Sequence, residues 1–499
     1  MQLQIVQGKQ KHNLTVKAGQ NLLEVLHKND MVITAPCGGH GTCGKCIVST
    51  HKGDLLACKT EIDIGFSGTK VRIPAVNNMK ILAAYESTHT VICDRHCSPT
   101  PSYGIAIDIG TTTLAFELLK MDNGERIVTH SAENSQREFG ADVMSRITNA
   151  VAGAKSELHA YIIRDICNGV RHILEHTEVD VTDVSLITIT GNTTMLHLLL
   201  NQPCDSLGVA PFTPVFIDMI TMDFNEIFDD DLLGCKVIIL PGISTFVGAD
   251  ITAGMLCAGW PNITGSNLLI DLGTNGEMAL FSSEKIFVTS TAAGPAFEGG
   301  NISMGIGSVD GAIAKVFLKN VNSSKDSYVF NYETINDLEP IGICGTGVVD
   351  ISAELIRHGF IDETGFLEVE DPVCIAPNIY FTQRDVREIQ LAKSAVRSGI
   401  EILLDIAGVK YEELSNVFVA GGFGYKIDIK NAITLGIIPL ELEDKIIILG
   451  NSALGGCANV LLSTTSEADI EKLCNMATEI NLAAHPRFND LFMEYMSME

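Results

Sequence analysis

The chain has 499 residues, 46% of them hydrophobic, and a formal net charge of −27 at pH 7. At about 100–200 residues per domain, this length predicts three or four domains with enough apolar material for buried parallel sheets. The negative charge argues against nucleic-acid binding, and no uninterrupted apolar run reaches the roughly 18 residues of a membrane-spanning helix. We therefore expect neither nucleic acid nor membrane as a partner.

The amino terminus and the cysteine usage indicate a reducing compartment. The first five residues, Met1-Gln2-Leu3-Gln4-Ile5, lack the basic region and apolar run of a signal peptide. Many of the 14 cysteines, such as Cys257, Cys344 and Cys457, lie within apolar stretches, where free thiols act as small core residues. We therefore expect a cytoplasmic protein.

Residues 1–75 are predicted to form a small domain. Alternating and helical apolar patterns predict a hairpin, one helix and two further strands, at 3–6 with 14–16, at 22–26, and at 47–50 with 70–73. In this arrangement the stretch resembles a plant- or adrenodoxin-type ferredoxin of β-grasp fold, with its fourth cysteine placed earlier than in plant-type proteins.

Four cysteines in this domain have the spacing of an iron–sulfur site. Cys37, Cys43 and Cys46 lie in one glycine-rich loop and Cys58 follows, which gives C-x5-C-x2-C-x11-C. Three thiolates from a tight loop and a fourth from a returning segment suit a [2Fe–2S] cluster, with glycines allowing positive φ and close approach of backbone N–H groups. Zinc is the alternative, but zinc sites more often use two short Cys/His pairs.

Residues 76–102 are predicted to be a linker. It contains Cys93 and Cys97, a C-x3-C pair that could indicate a second cluster or a redox disulfide. Two unreactive thiols in a connector are the simpler interpretation, since no further pair with ligand spacing follows.

A strand–turn–strand pattern occurs twice in the rest of the chain. Asp108 ends an apolar strand before a Gly/Thr turn, and Asp271 does so again 163 positions later. Such turns present N–H and hydroxyl groups to phosphate oxygens, and an Asp at the strand end can hold Mg²⁺ through water. The predicted phosphate-binding residues are Gly110, Thr111, Thr112, Thr113, Gly273, Thr274 and Asn275. The repeat predicts two similar lobes.

Two later glycine junctions complete the predicted nucleotide site. An apolar strand runs into Gly421-Gly422, where a purine and ribose could lie against the backbone. Gly345-Thr346-Gly347 open a helix whose amino terminus is available to an anion. Together with the two turns, these elements resemble the phosphate and adenosine motifs of the acetate and sugar kinase, Hsp70 and actin (ASKHA) superfamily. The resemblance implies two ribonuclease-H-like lobes, at 103–265 and 266–499, that bind Mg-ATP between them.

Further motifs resemble one narrower family, the ferredoxin-fused ATPases that reductively activate corrinoid proteins (RACo-type proteins). The similarity runs from end to end through stretches at 134–147, 190–195, 248–251, 292–299 and 391–395. Some members carry an additional domain between ferredoxin and ATPase, whereas here only residues 76–102 separate them. The resemblance implies a low-potential electron donor, a corrinoid protein of a methyltransferase system as partner, and a homodimer.

We accordingly predict ATP-dependent transfer of one electron from a [2Fe–2S] cluster to Co(II), giving Co(I). Asp108 and Asp271 would organise Mg²⁺ and the attacking water, and Glu277, just past the second turn, is a candidate for positioning that water. One alternative is an electron injector like the activators of 2-hydroxyacyl-CoA dehydratases, which have no separate four-cysteine domain. The other is a small-molecule kinase with a fused ferredoxin, in which Asp250 could be the base.

Overall fold

The structure is a computed structural model that describes most of the chain. The described residues are 2–7, 10–29, 31, 33, 39, 41, 46–51, 53–66, 68–73, 102–319, 328–369, 371–421, 427–462 and 465–498. Within them the chain forms two compact units. The first comprises Met1–Asn78, Glu133–Ile166 and His197–Val215, and the second comprises Met79–Ala132, Cys167–Leu196 and Phe216–Glu499. Almost all of the predicted linker, with Cys93 and Cys97, lies outside the described residues.

The amino-terminal part of the first unit is a five-stranded sheet with one helix. Its elements are β1 (Gln2–Gln7), β2 (Gln10–Thr15), α1 (Leu22–His27), β3 (Ile47–Thr50), β4 (Gly53–Leu56) and β5 (Lys70–Ile73). The strand order is β2-β1-β5-β3-β4, with β1 parallel to β5. Asn21 caps α1 by accepting the N–H groups of Leu23 and Glu24. The hairpin, helix and strands predicted for this domain are confirmed.

The next part of the chain builds a six-stranded sheet. Its elements are β6 (Tyr103–Ile109), β7 (Thr113–Lys120), β8 (Arg126–Glu133), α2 (Val143–Asn149), α3 (Lys155–Glu175), β9 (Val184–Gly191), α4 (Thr193–Leu199), α5 (Asp205–Gly208), β10 (Ile220–Asp223), α6 (Phe224–Phe228), β11 (Lys236–Ile239) and α7 (Ala249–Cys257). The strand order is β10-β11-β9-β6-β7-β8.

The carboxyl-terminal part builds a second six-stranded sheet. Its elements are β12 (Ser266–Leu272), β13 (Gly276–Phe281), β14 (Ile286–Thr291), β15 (Ala312–Lys319), β16 (Val329–Thr334), β17 (Gly342–Ile343), α8 (Gly345–Arg357), β18 (Val373–Ala376), β19 (Ile379–Phe381), α9 (Gln383–Ala407), β20 (Leu414–Ala420), α10 (Ile429–Thr434), β21 (Ile446–Gly450), α11 (Ser452–Leu461), α12 (Glu467–Met476), β22 (Ala477–Glu479) and α13 (Phe488–Glu494). The order is β21-β20-β12-β13-β14-β22, and β16-β15-β17 and β18-β19 form two smaller sheets.

The two six-stranded sheets repeat one pairing pattern. β6 is antiparallel to β7 and parallel to β9, and β12 is likewise antiparallel to β13 and parallel to β20. The central strands are buried almost throughout, which is why their sequences are continuous apolar runs rather than alternating ones. The predicted repeat is therefore present, and the predicted fold class is confirmed.

Two helices of the second unit cross at very short range between these sheets. α7 contacts β9, β12 and β13, whereas α11 contacts β6, β7 and β9 as well as α7 itself. A side chain at Gly456 would place its Cβ 2.0 Å from the backbone oxygen of Ala253, so the crossing requires glycine at this position. Helix α11 directly follows β21 of the second sheet in the chain but packs against strands of the first sheet. It therefore connects the two sheets.

Within the described residues, no helix is long and apolar enough to cross a membrane.

Candidate functional site

Two of the four predicted cluster ligands lie side by side in the first unit. The backbone N–H of Cys58 donates to Sγ of Cys46 at 3.4 Å. Cys46 is buried and directly precedes β3. Asn21 donates from its side chain to the backbone oxygen of Cys58 at 2.9 Å, which fixes the returning segment. N–H···S contacts of this kind favour thiolates, so the pair fits an iron–sulfur cluster.

The rest of the cysteine loop is described only at two glycines. Gly39 and Gly41 have φ angles of +85° and +74°, the positive values that the glycine-rich sequence predicts. Cys37 and Cys43 lie outside the described residues. The four-cysteine ligand set therefore stays a prediction.

Each of the two predicted phosphate turns in the second unit is closed by a backbone hydrogen bond from its first glycine, and the first turn is one residue longer than the second. The N–H of Gly110 donates to the backbone oxygen of Thr113 at 2.9 Å, and that of Gly273 donates to Asn275 at 3.0 Å. Each turn directly follows the strand that ends near an aspartate. The hydroxyl oxygen of Thr113 is buried and makes no hydrogen bond within the described structure. An unsatisfied polar atom beside such a turn fits a site that binds a polar ligand.

Five carboxylates collect near these turns and form what we call the acidic cluster. It consists of Asp108, Asp250, Asp271, Glu277 and Glu298. Asp271 and Glu277 are direct cross-strand partners of β12 and β13, so their side chains share one face of the sheet. Glu277 is only 9% exposed, whereas the other members are half-buried. Glu277 is thus the most enclosed residue of the acidic cluster.

Burial raises the pKa of each of these carboxyl groups, and repulsion by neighbouring carboxylates adds to the shift for some of them. Burial raises the pKa of Asp271 to about 8, with a further contribution from the negative charges of its acidic neighbours. Burial also raises the pKa of Asp108 to about 7, which a hydrogen bond from Asn451 partly opposes, and it raises the pKa of Asp250 to about 6. The pKa of Glu277 is raised by burial and then by Asp250 and Asp271. A bound cation would relieve the same repulsion that the protons relieve.

The carboxylates do not form a preassembled metal cage. Among the residues that the structure describes, no group of three or more His, Cys, Asp or Glu side chains could hold a metal ion. Mg²⁺ commonly keeps several waters and takes only one or two protein carboxylates together with substrate phosphates. The arrangement therefore fits Mg²⁺ bound largely through water and nucleotide, and it does not fit a dedicated protein cage.

Three site residues were not identified from the sequence. Asn451 donates from Nδ2 to Oδ2 of Asp108 at 2.8 Å while its Oδ1 accepts the N–H of Leu454, so it also caps α11. Asn192 donates to the hydroxyl of Thr111 at 3.1 Å, and Thr274 donates to Glu298 at 2.8 Å. Asn192 and Glu298 lie within quoted family stretches, but neither carries a local pattern that marks it as a site residue.

The predicted adenosine junction lies directly against the acidic cluster. Gly421 follows β20 with a φ of +97°, and its N–H donates to the backbone oxygen of Gly450 at 3.0 Å. A Cβ at this position would lie 2.4 Å from the backbone oxygen of Leu272 and 2.7 Å from Oδ1 of Asp271. Only glycine fits here, because the backbone packs directly against the end of β12 and the carboxyl group of Asp271. Gly422 lies outside the described residues.

The second predicted glycine junction, Gly345-Thr346-Gly347 at the start of α8, is packed closely against β15. The hydroxyl of Thr346 donates to the backbone oxygen of Ala314 at 2.8 Å, and a Cβ at Gly347 would meet the backbone oxygen of Ile313 at 2.3 Å. Gly345 and its two successors are buried where α8 rests on β15. Contact with a nucleotide would therefore have to come from backbone N–H groups of the first turn, because the Thr346 hydroxyl is already engaged.

The fold and these sites define a [2Fe–2S] ferredoxin domain joined to an ASKHA-type ATPase, and comparison with known proteins agrees. A model of 2Fe–2S iron–sulfur cluster binding domains matches residues 5–65. Models of the RACo middle region and of the C-terminal ASKHA domain of RACo match residues 103–262 and 265–499. The middle region is thus present in this chain, within the part that the sequence predicts as the first ATPase lobe; the domain boundaries themselves stay predictions.

Relatives that align with most of the chain identify the particular family. The chain is 32% identical over 449 residues to the corrinoid activation enzyme RamQ of Eubacterium limosum, covering 83% of this chain and 74% of that protein. It is 28% identical over 417 residues to a Co(II) methylated amine-specific corrinoid protein reductase of Methanosarcina barkeri, covering 78% and 76%. A solved reductive activator for a corrinoid, iron–sulfur protein superposes with a TM-score of 0.71 at 25% identity, covering 99% and 98%. The chain belongs to the RACo family of corrinoid-activating iron–sulfur ATPases.

Proposed function

We propose that this protein reductively activates a corrinoid protein of a methyltransferase system, using ATP to drive one electron from a [2Fe–2S] cluster onto Co(II) and so form Co(I). The observation that carries the proposal is the joint presence, in one chain, of the cluster domain and the ATPase. The alignment with the corrinoid activation enzyme covers 83% of the chain. A kinase with an accessory ferredoxin would not account for that extent of similarity.

The cluster site has one task, which is to accept and pass on a single electron. Cys37, Cys43, Cys46 and Cys58 are the proposed ligands, and the cluster supplies a low-potential electron when bound. The N–H of Cys58 and the amide of Asn21 hold the returning segment. This anchoring would keep the ligand geometry fixed between redox states, which favours fast electron transfer.

The two turns, the glycine junction after β20 and the acidic cluster would together bind Mg-ATP. The turns at Gly110–Thr113 and Gly273–Asn275 would bind phosphates, and Gly421-Gly422 would lie under the adenosine. Asp108 and Asp271 would organise Mg²⁺ and the attacking water, with Glu277 holding Asn275 in the second turn at 3.3 Å. The close grouping of Asp108 and Asp271 with other carboxylates supports this, because a divalent cation would relieve the repulsion that contributes to their raised pKa values.

ATP is needed because the electron must move uphill. Plant-type [2Fe–2S] centres have potentials near about −400 mV, and the Co(II)/Co(I) couple is more negative. We propose that nucleotide binding closes the site and favours a complex in which the corrinoid is easier to reduce. A ligand can shift such an equilibrium only by its differential affinity for the two states. Asn451 is placed to transmit closure, because it joins Asp108 to the start of α11.

The partners follow from this scheme. A corrinoid protein would receive the electron, and a separate low-potential donor would reload the cluster. A homodimer and a cytoplasmic location are further predictions of the family resemblance and of the sequence.

Phosphate release distinguishes the proposed function from a kinase. Purified protein is incubated with Mg-ATP, with and without a Co(II) corrinoid protein, and with a panel of sugars and acyl acids. We expect inorganic phosphate, released faster with the corrinoid protein, and no phosphorylated small molecule. The same corrinoid protein stripped of its cobalamin is the control. A phosphorylated sugar or acid, or equal stimulation by the stripped control, would contradict the proposal.

A further inference from the structure

The two phosphate turns carry equivalent threonines whose hydroxyl groups make opposite hydrogen bonds. In the first turn, Oδ1 of Asn192 accepts the N–H of Met195 at 3.0 Å, so its Nδ2 faces Thr111 and donates to the hydroxyl oxygen at 3.1 Å. Because the amide oxygen is already committed, the orientation of the amide is fixed. Thr111 is therefore an acceptor in this contact.

In the second turn the threonine is a donor. The hydroxyl of Thr274 donates to Oε2 of Glu298 at 2.8 Å. The backbone N–H of Thr274 also donates to this carboxylate. The hydroxyl and the N–H of Thr274, which the sequence predicts to bind phosphate, thus both donate to the side chain of Glu298. The second turn serves at least as much to orient a carboxylate as to bind phosphate.

Glu298 is delivered to this position by a tight turn. The 3₁₀ turn Pro295–Glu298 lies between Gly294 and Gly299, whose φ angles are +75° and +79°. Oε1 of Glu298 lies 3.6 Å from the position that a Cβ of Gly273 would occupy, so the carboxylate rests against the turn. Glycine at 273 leaves this space open.

The two glutamates near the second turn differ in accessibility. Glu277 is 9% exposed within β13, and its Oε1 accepts a hydrogen bond from Asn275 at 3.3 Å. Glu298 is half-buried on a loop, and its Oε2 is the oxygen held by the Thr274 hydroxyl. Glu298 is therefore the more exposed of the two residues, and it is the one that the hydroxyl and N–H of Thr274 hold against the second phosphate turn.

We propose that Glu298 is the catalytic carboxylate that contacts the attacking water, while Thr274 positions Glu298 and Glu277 positions the turn through Asn275. The inference rests on the proposed ATP hydrolysis. In the step, the water oxygen forms a bond to the γ-phosphorus as the bond from that phosphorus to the β,γ-bridging oxygen breaks. One water proton passes to the Glu298 carboxylate and from there to the released phosphate or to solvent.

The test compares matched Glu→Gln variants of the full-length protein. E298Q keeps the size and an acceptor for Thr274 but removes the charge, so we expect kcat for phosphate release to fall about 100-fold, as is typical for loss of a proton acceptor. The nucleotide Kd, measured by titration calorimetry, should stay within about threefold. E277Q should lower kcat less than about tenfold, and E284Q, at an exposed hairpin position, should match the wild type. Melting curves check that each variant is folded.

Thr274 provides a second, independent test. T274S keeps the hydroxyl and should retain most activity, whereas T274V should lose it. Because Thr274 acts through Glu298, T274V/E298Q should be no slower than E298Q alone.

The outcomes separate this inference from the proposed function. An E298Q protein with kcat within about threefold of wild type, or with weakened nucleotide binding and unchanged kcat, overturns the role of Glu298. Multiplicative losses in the double variant overturn the link to Thr274. If the wild type hydrolyses ATP but forms no Co(I), only the proposed function fails. If it releases no phosphate at all, both fail.

Discussion

Replacing Asn451 by Asp tests how the start of α11 is tied to the nucleotide site. The variant keeps the oxygen that accepts the N–H of Leu454 at 2.8 Å, so the helix cap survives. It replaces the amide group that donates to Oδ2 of Asp108 at 2.8 Å with a second carboxylate oxygen. Two carboxylates at this distance cannot both stay ionised without a large penalty.

The expected loss can be worked out from these contacts. A hydrogen bond to a charged group contributes about 1.5–3 kcal/mol, so N451D should lose at least about 2 kcal/mol of stability at pH 8. At roughly 2–4 °C per kcal/mol for a large domain, the melting temperature should fall by several degrees. N451A removes the cap as well, which costs about 1 kcal/mol, but it adds no second carboxylate, so its loss should depend less on pH than that of N451D.

The pH dependence gives the sharper result. In N451D a proton shared by the two carboxylates would restore a hydrogen bond, so the deficit should shrink as the pH falls from about 8 to about 6. Circular dichroism melts of wild type, N451D and N451A across this range measure it. S466A, which removes only the exposed cap of α12, should lose about 1 kcal/mol at every pH. An N451D protein as stable as wild type at pH 8, or a deficit that grows on acidification, would refute the reasoning.

Three other predictions concern the cluster, the glycine junction and the acidic cluster. C46S and C58S should abolish the visible absorption of the iron–sulfur cluster in anaerobically purified protein, while C374S, at an exposed thiol, should retain it. G421A should cost well over 2 kcal/mol in melting experiments and abolish nucleotide binding, because its Cβ would lie 2.4 Å from a backbone oxygen; G408A has a similar positive φ but open space and should cost about 1 kcal/mol. Because the folded-state pKa values of the aspartates in the acidic cluster, about 6 to 8, exceed the unfolded value, the folded protein binds more protons than the unfolded chain. Its stability should therefore fall as the pH rises from about 5 to about 8, and saturating Mg-ATP should reduce this slope. Stability that rises over this range would contradict the raised pKa values.

Sequence patterns predicted the parts of this protein that are encoded locally. The strands around Asp108 and Asp271 follow from apolar runs that end in Gly/Thr turns, and the paired sheets follow from their repetition. Positive φ at Gly39 and Gly41 follows from the glycine-rich loop. Such features depend on neighbours within a few residues, so one sequence suffices to recognise them.

The contacts that complete the site are not encoded locally. Asn451 and Asp108 are 343 positions apart, and Glu298 reaches Thr274 from a turn that follows two further strands. No periodicity or spacing indicates that these side chains meet, because the meeting depends on how β6, β12 and α11 pack. The same holds for Thr346, where a motif suited to anion binding is used to fasten α8 to β15. Local chemistry indicates what a residue could do, whereas packing decides whether it is available.

The central claim is that ATP drives the electron from the cluster to the corrinoid. Anaerobically reduced protein is mixed with a Co(II) corrinoid protein, and the visible spectrum is followed with and without Mg-ATP, with C58S as the control that lacks the electron carrier. We expect Co(I) to accumulate only with both Mg-ATP and the intact cluster. Co(I) that forms equally fast without nucleotide, or that fails to form with it, would contradict the account.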